Sequence, residues 1–148
     1  MGGLFLLFTF ATTNLTSGCF EHERAALLRF KHNLSDPSGR LSSWNGNNCC
    51  NWQGVDCNNA TGYVTRLDLG TDSSDENPIP EFIGSLTKLR YLNLSSMGFS
   101  GIVPHSIGNL SNLRVLDLSN MELVVDEFSW FSSLLSLKSL DLSGAERC

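Results

Sequence analysis

The spacing of leucines divides the second half of the chain into similar units. The segments Leu86–Leu94 and Leu110–Leu118 each read L-x-x-L-x-x-L-x-L, and the same spacing returns over Leu134–Leu142. The second half of this pattern also stands earlier, at Leu67 and Leu69. Leucines two residues apart predict a short strand with one buried face, and the leucines three apart predict the turn that leads into it.

The constant step between the units predicts how they pack. Leu92, Leu116 and Leu140 follow one another at intervals of 24 residues. A unit this short cannot bury its apolar face alone, so neighbouring units must stack and their strands must pair in parallel. The predicted fold is α/β: a right-handed leucine-rich repeat solenoid with short parallel strands.

The region before the repeats predicts a helical cap. A helix is expected over Glu21–Asn33, and the first strand over Tyr63–Leu69. One face of this helix carries the apolar residues Ala26, Leu27, Phe30 and Leu34. Trp44 and Trp52 could form a carbohydrate platform or cover the open end of the solenoid. The covering role is favoured, because an exposed first repeat would leave apolar surface and a strand edge unprotected.

Composition narrows the class of protein. The net charge of −5 and the lack of a clustered basic face argue against nucleic-acid binding. The apolar run Leu4–Ala11 is typical of the core of a signal peptide, but no basic residue precedes Arg24. We therefore expect residues 1–18 to be a leader that is at least partly shortened, 19–62 to be the cap, and 63–148 to hold about four repeats, the last incomplete.

Cysteines and sequons indicate the secretory pathway. Four of the five cysteines precede the repeats, no C-x-x-C pair is present, and disulfides are therefore expected rather than a metal site. These four are Cys19, Cys49, Cys50 and Cys57. Sequons predict glycosylation at Asn33, Asn59, Asn93 and Asn109. Together they favour an extracellular or cell-surface location. No metal or cofactor is expected.

Several segments resemble plant extracellular leucine-rich repeat proteins. Their N-terminal cap is similar to Glu23–Lys31 (ER-x-ALL-x-FK), Asp36–Trp44 (DPSGRLSSW) and Cys49–Cys57 (CC-x-W-x-GV-x-C). Phe99–Pro104 resembles the L-x-G-x-I-P element of plant-type 24-residue repeats. Val125–Phe131 (VDEFSWF) resembles a segment typical of receptor-like proteins of the xylanase-elicitor-receptor kind.

This resemblance carries structural expectations. Four cysteines allow three pairings, a vicinal bond is strained, and the resemblance selects Cys19–Cys49 with Cys50–Cys57, which leaves Cys148 unpaired. The sequence departs from the family pattern at the asparagine that follows each strand, where Met97, Met121 and Ala145 stand. We therefore expect fewer hydrogen bonds between neighbouring repeats.

Stacked strands would place equivalent outward residues in columns. The candidate ligand-binding residues on this concave face are Arg66, Asp68, Arg90, Tyr91, Arg114, Asp117, Lys138 and Asp141. The basic column at the start of the strands is expected to neutralise the acidic column across the sheet. Asp117 beside Asp141 could serve as an acid/base pair, but an open surface without a nucleophile predicts no enzyme.

The resemblance leaves three functions open. The first is the N-terminal part of a plant cell-surface receptor-like protein, which senses an extracellular protein, peptide or glycan in defence or development, with a co-receptor. Such a protein would contact the membrane only through parts outside this sequence. The second is a secreted protein similar to polygalacturonase-inhibiting proteins. The third is a truncated product without independent activity. A glycan at Asn93 would stand on the concave face, so a protein ligand is expected to approach along Arg90, Arg114 and Lys138.

Overall fold

The structure is a computed structural model that describes residues 18–36, 38–70 and 76–147. The predicted leader, apart from Gly18, and the predicted unpaired Cys148 lie outside the described residues.

The cap begins with helix α1, Glu21–His32, one residue shorter than predicted. Acidic residues occupy its first turn and basic residues its last, an arrangement that suits the helix dipole. The expected apolar face packs inward, with Ala26, Leu27 and Phe30 buried and Leu34 partly buried. The helix therefore covers one end of the core as the pattern predicted.

The strands form two sheets that follow the repeats. In chain order they are β1 (Val55–Cys57), β2 (Val64–Asp68), β3 (Tyr91–Asn93), β4 (Ser100–Ile102), β5 (Val115–Asp117), β6 (Glu122–Val125), β7 (Ser139–Asp141) and β8 (Glu146–Arg147). The first sheet has the order β1-β2-β3-β5-β7, and the second has the order β4-β6-β8. We call the first the concave sheet.

Pairing in the concave sheet confirms the predicted solenoid. Strands β2, β3, β5 and β7 pair in parallel, and the register places Leu67, Leu92, Leu116 and Leu140 opposite one another. The side chains of Leu92 and Leu116 are fully buried. Period-2 leucines therefore mark the buried face of each strand, and neighbouring units complete the core.

The second sheet was not predicted. It pairs Ser100 with Glu122, a step of 22 residues, whereas Tyr91 pairs with Val115 at the repeat step of 24. Its strands lie beyond the leucine motif and expose many of their side chains, so no alternating pattern signals them.

Short 3-10 helices span Cys49–Asn51 in the cap and Glu81–Ser85, His105–Asn109 and Phe131–Ser133 in the repeats. Gly84 lies so close to the backbone of Ser106 that a Cβ there would clash with the Ser106 carbonyl. Gly108 similarly faces the Trp130 backbone, where a Cβ would lie 3.0 Å from the carbonyl oxygen. Glycine thus lets successive repeats stack closely.

Two tryptophans and two disulfides hold the cap together. The rings of Trp44 and Trp52 stack with centroids 5.5 Å apart, and both side chains are buried. Their indole N–H groups donate to the carbonyl oxygens of Gln53 (2.9 Å) and Asn45 (2.7 Å). This burial rules out the carbohydrate platform and supports the covering role. The structure joins Cys19 to Cys49 and Cys50 to Cys57, the pairing that the resemblance implied.

A buried carboxyl connects the cap to the first repeat. Glu23 is 1% exposed, and its Oε1 accepts a hydrogen bond from the Val64 N–H at 2.9 Å. Burial raises the pKa of Glu23, and the bond from Val64 opposes that effect. A charged residue of the cap helix thus satisfies a backbone N–H of β2 inside the core.

Candidate ligand-binding surface

The register brings the candidate residues together in columns. Arg66, Tyr91, Val115 and Ser139 lie opposite one another, as do Asp68, Asn93, Asp117 and Asp141. At the start of the strands, the backbone N–H of Arg90 donates to Thr65, that of Arg114 to Arg90, and that of Lys138 to Arg114. All eight candidate residues therefore stand on one continuous surface.

Arg66 organises the part of this surface nearest the cap. Its guanidinium lies 3.7 Å from the centre of the Tyr91 ring and 3.1 Å from a carboxylate oxygen of Asp68. A second carboxylate, Asp56 on β1, lies 3.5 Å from its Nε. Arg66 is therefore held in a defined position, and its charge is balanced by groups of the chain itself.

The polar residues at the strand ends fold back on the chain. Oδ1 of Asn93, Asp117 and Asp141 accepts the backbone N–H two residues later, at 2.9, 3.0 and 2.9 Å. Neighbouring repeats also bond across this turn, since the Ser96 N–H donates to Ser119 and the Asn120 N–H to Ser143. Local Asx turns and these backbone bonds therefore shape the turn beside Met97 and Met121, and the loss of asparagine side-chain bonds stays a prediction.

Serine hydroxyls hold the carboxylates of Asp117 and Asp141 in place. The hydroxyls of Ser119 and Ser143 each donate to these carboxylates at 2.6 Å. The Ser143 hydroxyl and N–H lower the pKa of Asp141. A general acid needs the opposite shift, so this hydrogen bonding does not favour Asp141 as a general acid.

The two charge columns stay separate. Among the described residues, no ion pair joins Arg90, Arg114 or Lys138 to the acidic column. The expected neutralisation by ion pairs across the sheet is therefore wrong for these three cations. Among the described residues, only Arg66 pairs with the acidic column, through Asp68. The surface presents a positive column where the strands begin and a negative column where they end.

A pocket lies at the positive edge, where the cap meets the first repeats. Its volume is about 250 Å³, and its lining consists of Asn58, Thr61, Tyr63, Thr65, Lys88, Arg90 and Asn112. Of these, only Arg90 was among the sequence candidates. The others come from the cap turn, from β2 and its approach, and from the leucine turns. Only the fold brings these separate segments into one place.

The sequons differ in their surroundings. The side chains of Asn33, Asn59 and Asn109 are exposed, whereas Asn93 is partly buried. The amide nitrogen of Asn93, which is the atom that would carry a glycan, donates to Asp68 Oδ1 at 3.1 Å. A glycan there would leave one N–H for this bond and would stand on the concave face. Glycosylation stays a prediction at all four positions.

The segment Val125–Phe131 is tied to the preceding repeat by His105. The His105 Nε2 lies 2.9 Å from Asp126 Oδ1, and its Nδ1 lies 3.2 Å from Glu127 Oε1. The hydrogen bond with Asp126 raises the pKa of His105 and lowers the pKa of Asp126. Nothing in the sequence pattern signals this contact, because the partners of His105 lie 21 and 22 residues further along the chain.

Other chemistry has little support in the described part of the chain. The sulfurs of Cys49, Cys50 and Cys57 lie within 4.8 Å of one another, but each belongs to a disulfide and offers no thiolate to a metal. In residues 18–36, 38–70 and 76–147, no helix combines the length and apolar character needed to span a bilayer.

Comparison with known proteins identifies the class. The family model described as the leucine rich repeat N-terminal domain matches residues 20–58, and that of the leucine rich repeat matches residues 87–145. With the observed solenoid, these matches show that the chain belongs to the plant-type leucine-rich repeat proteins with an N-terminal cap. It is similar to receptor-like protein EIX1 of Solanum lycopersicum, with 34% identity over 96% of this chain and 18% of that protein.

Solved structures share the fold. A plant ice-binding protein superposes with a TM-score of 0.78 and 28% identity, over 87% of this chain and 42% of that one. The ectodomain of the Arabidopsis receptor kinase HAESA, in complex with an IDA peptide hormone, has a TM-score of 0.69 and 34% identity, over 85% of this chain and 21% of that one. The chain thus spans less than a quarter of EIX1 or of the HAESA ectodomain.

Proposed function

We propose that the chain is the N-terminal part of a plant cell-surface receptor-like protein that recognises an extracellular ligand without transforming it. The observation that carries this proposal is the concave surface with its separate positive and negative columns. The cap and repeat matches and the similarity to EIX1 support the receptor class. We further propose that residues 19–62 act as the cap and 63–148 as the recognition repeats.

The concave surface suits recognition because its backbone is rigid and its side chains are variable. Each strand is fixed by hydrogen bonds to its neighbours and by buried leucines beneath it. The outward side chains can differ without altering that core. A protein or peptide with charges of both signs would be oriented by the two columns, because complementary charge steers association.

An extracellular setting accounts for the cap. Two disulfides close within 39 residues, and disulfides persist in oxidising compartments. The HAESA ectodomain was solved with a peptide hormone, which supports a peptide or protein as the class of ligand. We also propose a co-receptor as a second partner, because the chain is proposed to belong to a cell-surface receptor-like protein.

The test is binding of a purified fungal xylanase, the elicitor class that the resemblance implies, to the full chain. Reversing three charges with Arg90→Glu, Arg114→Glu and Lys138→Glu is expected to slow association and to reduce its dependence on salt. Arg147→Glu is the control, because it reverses a charge on β8 of the second sheet and not on the concave sheet. Unchanged binding by the folded triple variant, or no binding by the unmodified chain, would contradict the proposal in this form.

The Asn93 sequon gives a second arm of that test. Ser95→Ala removes the sequon, and binding is expected to stay unchanged or to improve, since a glycan on the concave face would obstruct a protein. Abolished binding by a correctly folded Ser95→Ala chain would show that the face is misplaced. Inhibition of a fungal polygalacturonase by the unmodified chain would favour the secreted-inhibitor alternative.

A further inference from the structure

The pocket at the junction of cap and repeats has the composition of a site for an acidic ligand. Lys88 and Arg90 line it together with four neutral polar side chains and the Tyr63 ring, and no carboxylate is part of the lining. Neither cation takes part in an ion pair with any described residue. An anion in this pocket would therefore meet positive charge that the chain itself does not compensate.

The neutral lining indicates what kind of group carries the anion. Asn58, Thr61, Thr65 and Asn112 offer amide and hydroxyl groups around a volume of about 250 Å³, which is the scale of a single sugar ring. The Tyr63 ring is held in place, since Phe20 stacks on it with centroids 4.3 Å apart and Lys88 Nζ lies 5.6 Å from its centre. A sugar acid has many hydroxyls and a carboxylate, and both find matching groups here.

The positive column continues from the pocket. Beyond Arg90 it includes Arg114 and Lys138, one cation per strand, at the strand spacing of about 4.8 Å. A linear polyuronate carries one carboxylate per ring, so rings beyond the pocket could meet these cations. The neutral polar lining favours such a ligand over an acidic peptide, because sugar hydroxyls can pair with the amide and hydroxyl groups of the pocket wall.

We propose that this pocket binds one ring of an acidic, uronate-bearing oligosaccharide, with Lys88 and Arg90 pairing its carboxylate and the following rings running along Arg114 and Lys138. The proposal deepens the recognition function proposed above and rests on it, since it adds a carbohydrate subsite at the positive column of the concave surface. Lys88 is exposed and outside the columns, so a site in this pocket can be changed without altering the acidic column.

The experiment measures the affinity of a homogalacturonate oligomer for the full chain by calorimetry. The double variant Lys88→Gln/Arg90→Gln is expected to weaken binding about tenfold or more, and Asn112→Ala several-fold, because both remove groups from the pocket wall. The matched control is Arg29→Gln/Arg147→Gln, which removes the same charge from exposed residues outside the pocket and should leave the affinity unchanged. Fully methyl-esterified oligomer and polyglutamate are the comparison ligands, and both are expected to bind at least about tenfold more weakly.

Several results would overturn the proposal. Equal weakening by the control pair would show unspecific charge attraction, and equal affinity for the methyl ester would remove the role of the carboxylate. Equal affinity for polyglutamate would assign the pocket to an acidic peptide. A chain that binds xylanase but not the oligomer would refute the pocket and leave the proposed function standing, whereas the reverse result would support the pocket and contradict protein recognition.

Discussion

The strands β2 and β7 carry the same leucine motif and yet lie in different surroundings. In β2, Leu67 is fully buried, whereas Leu140 at the equivalent position of β7 is 37% exposed. Strand β2 lies between β1 and β3 and beneath the cap, while in the part of the chain that the structure describes β7 pairs only with β5, at the edge of the sheet. The motif thus decides which side of a strand faces the core, and the neighbouring unit decides how deeply that side is buried.

Removing the Cys19–Cys49 disulfide of the cap should destabilise the protein more than any of the changes considered below. The Cys19–Cys49 bond closes a loop with a sequence separation of 30, and Cys19→Ala/Cys49→Ala should lower the free energy of unfolding by about 3–4 kcal/mol on the loop-entropy estimate. Chemical denaturation monitored by far-UV circular dichroism would measure it. A loss below about 1 kcal/mol would mean that packing alone holds the cap.

Replacing Leu67 or Leu140 with alanine compares directly how much the burial of each leucine stabilises the fold. Leu67→Ala should cost about 3 kcal/mol, because it opens a cavity in a closed core. Leu140→Ala should cost about 1 kcal/mol or less, because its site is already partly open to water. Urea midpoints of the two variants provide the measurement. Equal losses would contradict the assignment of burial to neighbouring units.

Glu23 accepts a buried hydrogen bond at the capped end of the solenoid. Glu23→Ala leaves the Val64 N–H without its acceptor and should cost about 1–3 kcal/mol, whereas Glu23→Gln keeps an acceptor oxygen and should cost less. Because the fold raises the Glu23 pKa, the ionised form is disfavoured: stability from this group is greatest below about pH 4.3 and declines as the pH rises through the raised folded pKa.

Denaturation of both Glu23 variants across acidic pH checks this sign. The Glu23→Gln protein should lack the part of the pH dependence that belongs to this carboxyl. An alanine variant as stable as the glutamine variant would show that the hydrogen bond to Val64 contributes nothing.

The smallest effect is expected at His105, which joins repeat two to the segment before β7. Its pKa is raised by the hydrogen bond with Asp126 and by the nearby charges of Asp126, Glu127 and Glu81. The stabilisation is therefore complete below about pH 6.5 and is lost as the pH rises through the raised folded pKa. The urea midpoint of the unmodified chain should fall slightly more between about pH 6 and about pH 9 than that of His105→Gln. An identical change in both proteins would contradict this ion pair.

The leucine pattern predicted the concave sheet because its information is local. A period of two fixes which face of a strand is buried, and a constant repeat step fixes the register between strands. Aligning Leu67 with Leu92, at a step of 25 residues, predicted Arg66 opposite Tyr91 and Asp68 opposite Asn93, as the structure shows. The cap helix followed from the same reasoning, since its apolar residues recur at helical spacing.

Features that depend on contacts between distant segments could not be predicted. Arg66 pairs with Asp56 because β1 folds back beside β2, and no pattern in three residues of β1 signals that strand. The second sheet has no leucine alternation and was missed for the same reason. The predicted ion pairs between the basic and acidic columns are not formed among the described residues, because strand pairing sets the backbone position of Arg90 but not the conformation of its side chain.

Local stability against opening is predicted to decrease from the cap toward β7. Native-state hydrogen exchange on a proven monomer tests this most directly. Informative amides are those that bond between successive strands: Leu69 to Asn93, Leu94 to Asp117 and Leu118 to Asp141. Protection is predicted to be highest at Leu69 and to fall through Leu94 to Leu118, because each later strand has fewer buried neighbours beyond it. Uniform protection at these three amides would contradict the claim and would show that the chain unfolds as a single unit.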